Sequence, residues 1–171
     1  GDYTIYLNGG TTTITVTGEL DEQGDGIDAN GHVRMTGGIV TISGPTDTRN
    51  SAVDYGTFTI SGGLFIGTNI NGRNSQGIGA GSSQAALYVT LDSTADAGET
   101  IHIESAAGES LVTFAPANPY DVIVFSSPDL VEGEAYNIYL GGSVEGESPS
   151  HLYEDSAYAA GALEGSVTAS L

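Results

Sequence analysis

Val33-Arg34-Met35-Thr36-Gly37-Gly38-Ile39-Val40-Thr41-Ile42 is the stretch on which the fold turns. Apolar residues alternate on either side of a glycine pair, the pattern of two short half-buried strands that meet at a corner. The same arrangement comes before it and after it. Ile5-Tyr6-Leu7 leads through Gly9-Gly10 to Ile14 and Val16, and Phe58-Thr59-Ile60 leads through Gly62-Gly63 to Leu64-Phe65-Ile66. Gly37 follows Gly9 by 28 residues, and Gly62 follows Gly37 by 25. A third element keeps step: Gly26-Ile27-Asp28-Ala29, Ala52-Val53-Asp54-Tyr55 and Gly77-Ile78-Gly79-Ala80, at spacings of 26 and 25. A repeat of about 25 residues holding three strands predicts an all-β chain whose coils stack as a parallel β-helix, since one such coil cannot bury its inner face alone. Hairpin turns of an antiparallel sandwich would explain the glycine pairs by themselves. Repetition of all three elements favours the β-helix.

The repeat dissolves near Ala85, but alternation continues in Leu87-Val89-Leu91, Ile101-Ile103, Val112-Phe114, Val122-Val124 and Tyr136-Ile138-Leu140. These read as half-buried strands separated by acidic or proline-containing turns. One domain, 1–171, is expected: regular coils over 1–84, less regular strands over 85–140, then a Gly/Ser/Glu-rich loop and a terminal strand over 141–171. No segment has helical periodicity.

Charge excludes whole classes of function. The 171 residues hold 22 Asp and Glu against three Arg and no Lys, for a net charge of -19. Nucleic acid is ruled out as a partner, because its phosphates need cations to displace their counterions. An anionic membrane surface would repel the chain, and no apolar run approaches the roughly 20 residues of a membrane span. A surface this acidic calls for salt or divalent cations to offset self-repulsion. There is no cysteine, so disulfides and thiolate metal sites are excluded and redox compartment is unreadable. The chain opens on a strand-like segment rather than a charged-then-apolar signal, as expected of a mature chain or a fragment.

Gly24-Asp25-Gly26-Ile27-Asp28-Ala29-Asn30-Gly31, Met35-Thr36-Gly37-Gly38-Ile39-Val40 and Ser51-Ala52-Val53-Asp54-Tyr55 resemble segments of the bacterial carbohydrate-binding domain-containing proteins, once a domain of unknown function. Phe125-Ser126-Ser127-Pro128-Asp129-Leu130 and Tyr139-Leu140-Gly141-Gly142 extend the resemblance over most of the chain. It implies a right-handed parallel β-helix related to polysaccharide lyases, extracellular, calcium-binding and non-catalytic, that attaches to polysaccharide. The chain departs from that pattern in having few coils before Asp25 and no Lys.

Asp21, Glu22, Asp25 and Asp28 surround a glycine-rich turn, and Asp54 repeats Asp28 one unit later. Calcium takes six to eight oxygens from carboxylates, carbonyls and water, so Asp25, Asp28 and Asp54 are the expected metal ligands. Capping of turns by these aspartates is the plainer alternative. Sugar binding calls for aromatic faces and amides, which makes Tyr55, Asn71, Arg73 and Asn74 the candidate carbohydrate contacts. Packing of Tyr55 on its neighbour and turn duty for the asparagines stand against this. Lyases of the β-helix type use Lys or Arg as base, and only Arg34, Arg49 and Arg73 are present. His32, His102 and His151 stand apart, and no Ser-His-Asp arrangement can be drawn. The expectation is therefore not an enzyme but a calcium-binding, polysaccharide-binding protein of the cell surface. The alternative is a self-assembling subunit of an extracellular fibre or surface layer, joined to copies of itself through its terminal strands and β-helix ends.

Overall fold

The computed structural model describes residues 3–146, 148–153 and 158–171. Asp2 of the opening segment and Glu147 of the expected loop lie outside the described residues. Among these described residues twelve strands form: β1 (Thr4–Thr15), β2 (Ile27–Ser43), β3 (Val53–Ile60), β4 (Leu64–Asn69), β5 (Ala86–Ala95), β6 (Ile101–Ser105), β7 (Ser110–Phe114), β8 (Tyr120–Ser126), β9 (Ala135–Leu140), β10 (Ser143–Val144), β11 (Tyr158–Ala159) and β12 (Ala162–Thr168). Among the described residues there is no helix.

The first sheet runs β1-β2-β4-β8-β5, with β3 also paired to β2. β1, β3 and β4 each run parallel to β2, in the registers Ile5↔Val33, Val33↔Phe58 and Val40↔Phe65. β2 is one strand of 17 residues that serves both arms of this parallel region. It bends at Gly37-Gly38, where Gly38 has φ +88. A Cβ on Gly38 would lie 2.6 Å from the Gly10 carbonyl oxygen, so the corner needs glycine for conformation and for close approach.

A single parallel β-helix through the whole chain, right-handed or otherwise, is not what forms. The cause is β8. Val122, Ile123, Val124 and Phe125 are all buried, so this strand offers an apolar side chain on both faces and can sit only between two layers. It takes the edge of β4 in antiparallel register, Ile66↔Phe125 and Thr68↔Ile123, and carries β5 antiparallel on its far side. Parallel stacking ends there. A second sheet, β12-β9-β6-β7, is antiparallel throughout, and β10 and β11 form a short antiparallel pair. The result is an all-β chain of mixed and antiparallel sheets.

The two faces of β8 define two cores. Val122 and Val124 join Val33, Met35, Val40, Ile42, Phe58, Ile60 and Phe65 in an inner core within the bent parallel region. Ile123 and Phe125 join Leu87, Ile101, Ile103, Phe114, Tyr136 and Ile138 in an outer core beneath the second sheet.

Candidate functional site

Asp28 and Asp54 are register partners on β2 and β3, which sets their backbones roughly 4.8 Å apart. Asp25 sits just ahead of β2, where its Oδ1 accepts from the Ser51 amide at 2.6 Å. Partial burial pushes the Asp25 carboxyl above its ordinary range, and the charges of Asp54 and Asp28 add to this against the Ser51 hydrogen bond. The three expected metal residues therefore share one electrostatic neighbourhood. Among the described residues, however, no three His, Asp or Glu groups converge as a set that could hold an ion. Asp25 is also engaged structurally, its carboxylate joining the turn before β2 to Ser51 ahead of β3.

Asp21 belongs to a different arrangement. Arg49 reaches Asp21 at 3.6 Å and Asp47 at 3.8 Å, and donates to the Leu20 carbonyl at 2.9 Å. Burial opposes ionisation of Asp47, but hydrogen bonds from the Arg49 amide and from the Asn50 side chain and amide outweigh it and hold its carboxyl below the usual range. Arg49 thus ties two successive turns together and is occupied in doing so.

Of the expected carbohydrate contacts, Tyr55 is half-buried. Its ring meets Phe58 edge-on at 5.7 Å, and its hydroxyl donates to the Gly77 carbonyl. Asn71, Arg73 and Asn74 are exposed on the turn after β4. The Asn71 amide donates to Asp121, the Arg73 amide to Thr48, and the Asn74 side chain to the Arg49 carbonyl at 2.6 Å. The Arg73 guanidinium has no ion pair among the described residues. The structure brings these three side chains together on one turn and leaves Tyr55 elsewhere, packed on β3.

Residue-by-residue reading missed a flat polar face on the outside of β1, β2 and β3. Val33 and Met35 point into the inner core, so His32 and Arg34 point out. Register then lines up two rows: Thr4, His32 and Thr57, and beside it Tyr6, Arg34 and Thr59. His32 shares a 2.7 Å hydrogen bond with Thr57, and Thr36 donates to Asn8 at 2.9 Å along the same face. Tyr6 is 61% exposed, and Arg34 is exposed without an ion pair among the described residues. The signal was present in the 28-residue offset of Tyr6 from Arg34, but that pairing carries meaning only once the strands are known to be parallel.

His102 was expected to stand apart, yet it is buried on the outward side of β6. Its ring stacks on Tyr158 at 4.0 Å and 15°, its Nδ1 shares a 2.8 Å hydrogen bond with Thr113, and Glu104 lies 3.8 Å from Nε2. Burial pushes its pKa down against the pull of Glu104. Tyr139 donates to Glu104 at 3.0 Å, and the Tyr158 hydroxyl donates to the Gly141 carbonyl. The stacking and hydrogen bonds of the cluster make it a clasp between β6, β9 and the segment after residue 157.

Compared with protein-family models, curated proteins and solved structures, the chain finds no match.

Proposed function

We propose that this protein is a non-catalytic polysaccharide-binding module acting outside the cell, with the glycan lying across the outer face of β1, β2 and β3. One observation carries the reading: in a chain of net charge -19, an exposed arginine stands beside an exposed tyrosine on a flat face otherwise made of threonines, an asparagine and a histidine. The tyrosine ring offers a surface for a pyranose to stack on, and the guanidinium offers donors in a fixed fork for ring hydroxyls. Asn71, Arg73 and Asn74 supply further donors on their own turn. Net charge selects among glycans. A polyuronate would be repelled by 22 carboxylates before it reached one arginine, so the ligand is a neutral polysaccharide.

The test is retention on affinity gels cast with neutral or uronate-containing polysaccharide. Arg34→Ala is expected to weaken binding to the neutral polymer about tenfold, a loss of about 1.4 kcal/mol, with the melting temperature unchanged because the side chain is exposed. Equal migration of the two proteins on every gel would overturn the reading.

Calcium is proposed only as a counter-ion near Asp25, Asp28 and Asp54, since these carboxylates do not converge as a ligand set, and the sugar contacts do not depend on it. With its pKa raised, Asp25 stabilises the fold below the ordinary carboxylate range, and that stability is lost as pH rises through the raised value. At pH 7 the charge is a burden. Asp25→Asn keeps an oxygen for the Ser51 amide and is expected to raise calcium-free stability by under about 1 kcal/mol, because much of the group faces water. Millimolar calcium should raise the wild-type melting temperature beyond what sodium of equal ionic strength does, and raise that of Asp25→Asn less. Identical calcium responses in the two proteins would remove these aspartates from the account.

A further inference from the structure

Among the described residues, β1 is hydrogen-bonded on one side only, to β2. The edge of β4 is taken by β8, and the far edge of β3 is met at two points, at Tyr55 by the Gln76 side chain and at Ile60 by the segment from Ser82 to Gln84. β1 therefore ends the inner core, and its inward residues are poorly covered, with Ile5 37% exposed and Leu7 and Ile14 only partly buried. Free edges in natural proteins are commonly blunted by charge or proline. From Tyr3 to Gly18 this chain has no charged residue, no histidine and no proline.

We propose that the free edge of β1 binds a second copy of this chain, β1 against β1 in antiparallel register, with the two-fold axis passing through the Gly9-Gly10 corner. Three properties of the strand agree with that symmetry. The first is side-chain phase. Ile5 and Leu7 face the inner core on the first arm, and Thr12 and Ile14 on the second, by their register with Val33, Met35, Val40 and Ile42. Ile5 and Ile14 lie equally far from the corner, as do Leu7 and Thr12, so each inward residue would meet an inward residue of the other copy.

The second is hydrogen-bond phase. The Tyr3 carbonyl accepts from the His32 amide, and the Val16 amide donates to the Ser43 carbonyl. Alternation along a ladder then turns Thr4 and Tyr6 on one arm, and Thr13 and Thr15 on the other, toward the free edge. Thr4 and Thr15 are equidistant from the corner, and so are Tyr6 and Thr13. Groups seeking partners face groups seeking partners.

The third is the corner itself. A Cβ on Gly37 would come within 3.2 Å of the Asn8 carbonyl oxygen, and one on Gly62 within 2.5 Å of that of Thr36, whereas one on Gly9 would meet nothing within 4 Å. Gly9 meets no such crowding within its own chain. In the dimer it meets Gly10 of the other copy, where two backbones cross. The uncharged edge is also where two chains of net charge -19 can approach with least repulsion, and an isologous contact closes at two.

Sedimentation velocity over a concentration series, at about 0.15 M and about 1 M salt, tests this. The expected result is a species of twice 17.4 kDa, favoured by high salt. The Thr13 amide points to the free edge, so Thr13→Pro removes no backbone bond within the monomer, losing there only the 3.2 Å side-chain bond from Thr41, and is expected to shift dissociation at least tenfold. Amide exchange on the unaltered protein gives a second readout: Tyr6 and Thr13 should become protected as concentration rises, while Ile5 and Ile14 are protected throughout. A monomer at every concentration and salt, a filament in place of a dimer, or a dimer without protection at Tyr6 and Thr13 would each overturn the proposal.

Discussion

Gly38→Ala is expected to melt about 10 °C below the unaltered protein, an effect of about 3–4 kcal/mol spread over a chain of this length. Two costs combine at this position. Its φ of +88 is one that residues with a Cβ adopt only at about 1–2 kcal/mol. The new methyl would also fall 2.6 Å from the Gly10 oxygen and 2.7 Å from the Gly9 carbonyl carbon, which are backbone atoms that cannot turn aside as a side chain could. β1 must move away from β2, or β2 must straighten. Thermal melts followed by circular dichroism measure the loss, and Gly9→Ala is the control. With open space around its added Cβ, that variant should melt within about 2 °C of the parent as a monomer.

Phe125→Ala is expected to cost about 3–5 kcal/mol, the usual range for emptying a fully buried phenylalanine site, and to lower the melting point by roughly 6–20 °C. Phe125 is fully buried and lies in the outer core, but its strand is also the wall of the inner core through Val122 and Val124. Loosening β8 should therefore weaken both cores together, and urea unfolding should remain one transition for the variant. Two separated transitions would mean that the parallel region stands without the second sheet.

The strands themselves are legible in the sequence. The paired glycines mark the corners of β1 and β2 and the turn between β3 and β4, and the 25- to 28-residue offsets are the parallel registers found in the fold. Alternation also locates β5, β6, β7, β9 and β12. The partner of β4 could not be read. Alternation of Val122 and Val124 reads as a half-buried strand, whereas Val122, Ile123, Val124 and Phe125 are all buried, and no local pattern says between which layers such a strand lies. Its pairing with Phe65 to Asn69 joins segments more than 50 residues apart, and nothing local encodes which edge β8 takes or in which direction. One such strand is enough to turn an expected uniform stack into mixed sheets. The candidate site divides in the same way. Adjacency of Asp28 and Asp54 follows from their spacing, whereas the packing of Tyr55 on Phe58 and the Tyr6–Arg34 row depend on which side of each strand meets a core.

The late arrival of β8 has a consequence for synthesis of the chain. A ribosome adding about 5–20 residues per second completes β4 at Asn69 some 53 residues before Val122 emerges, an interval of about 3–10 seconds. Throughout it, β1 to β4 are present while the edge of β4 and the mouth of the inner core stay open. An uncovered, largely uncharged edge is the kind that joins neighbouring nascent chains. The carboxylates that follow, from Asp92 through Glu109, hold such chains apart in that interval, which gives the acidic composition a use before the protein is finished.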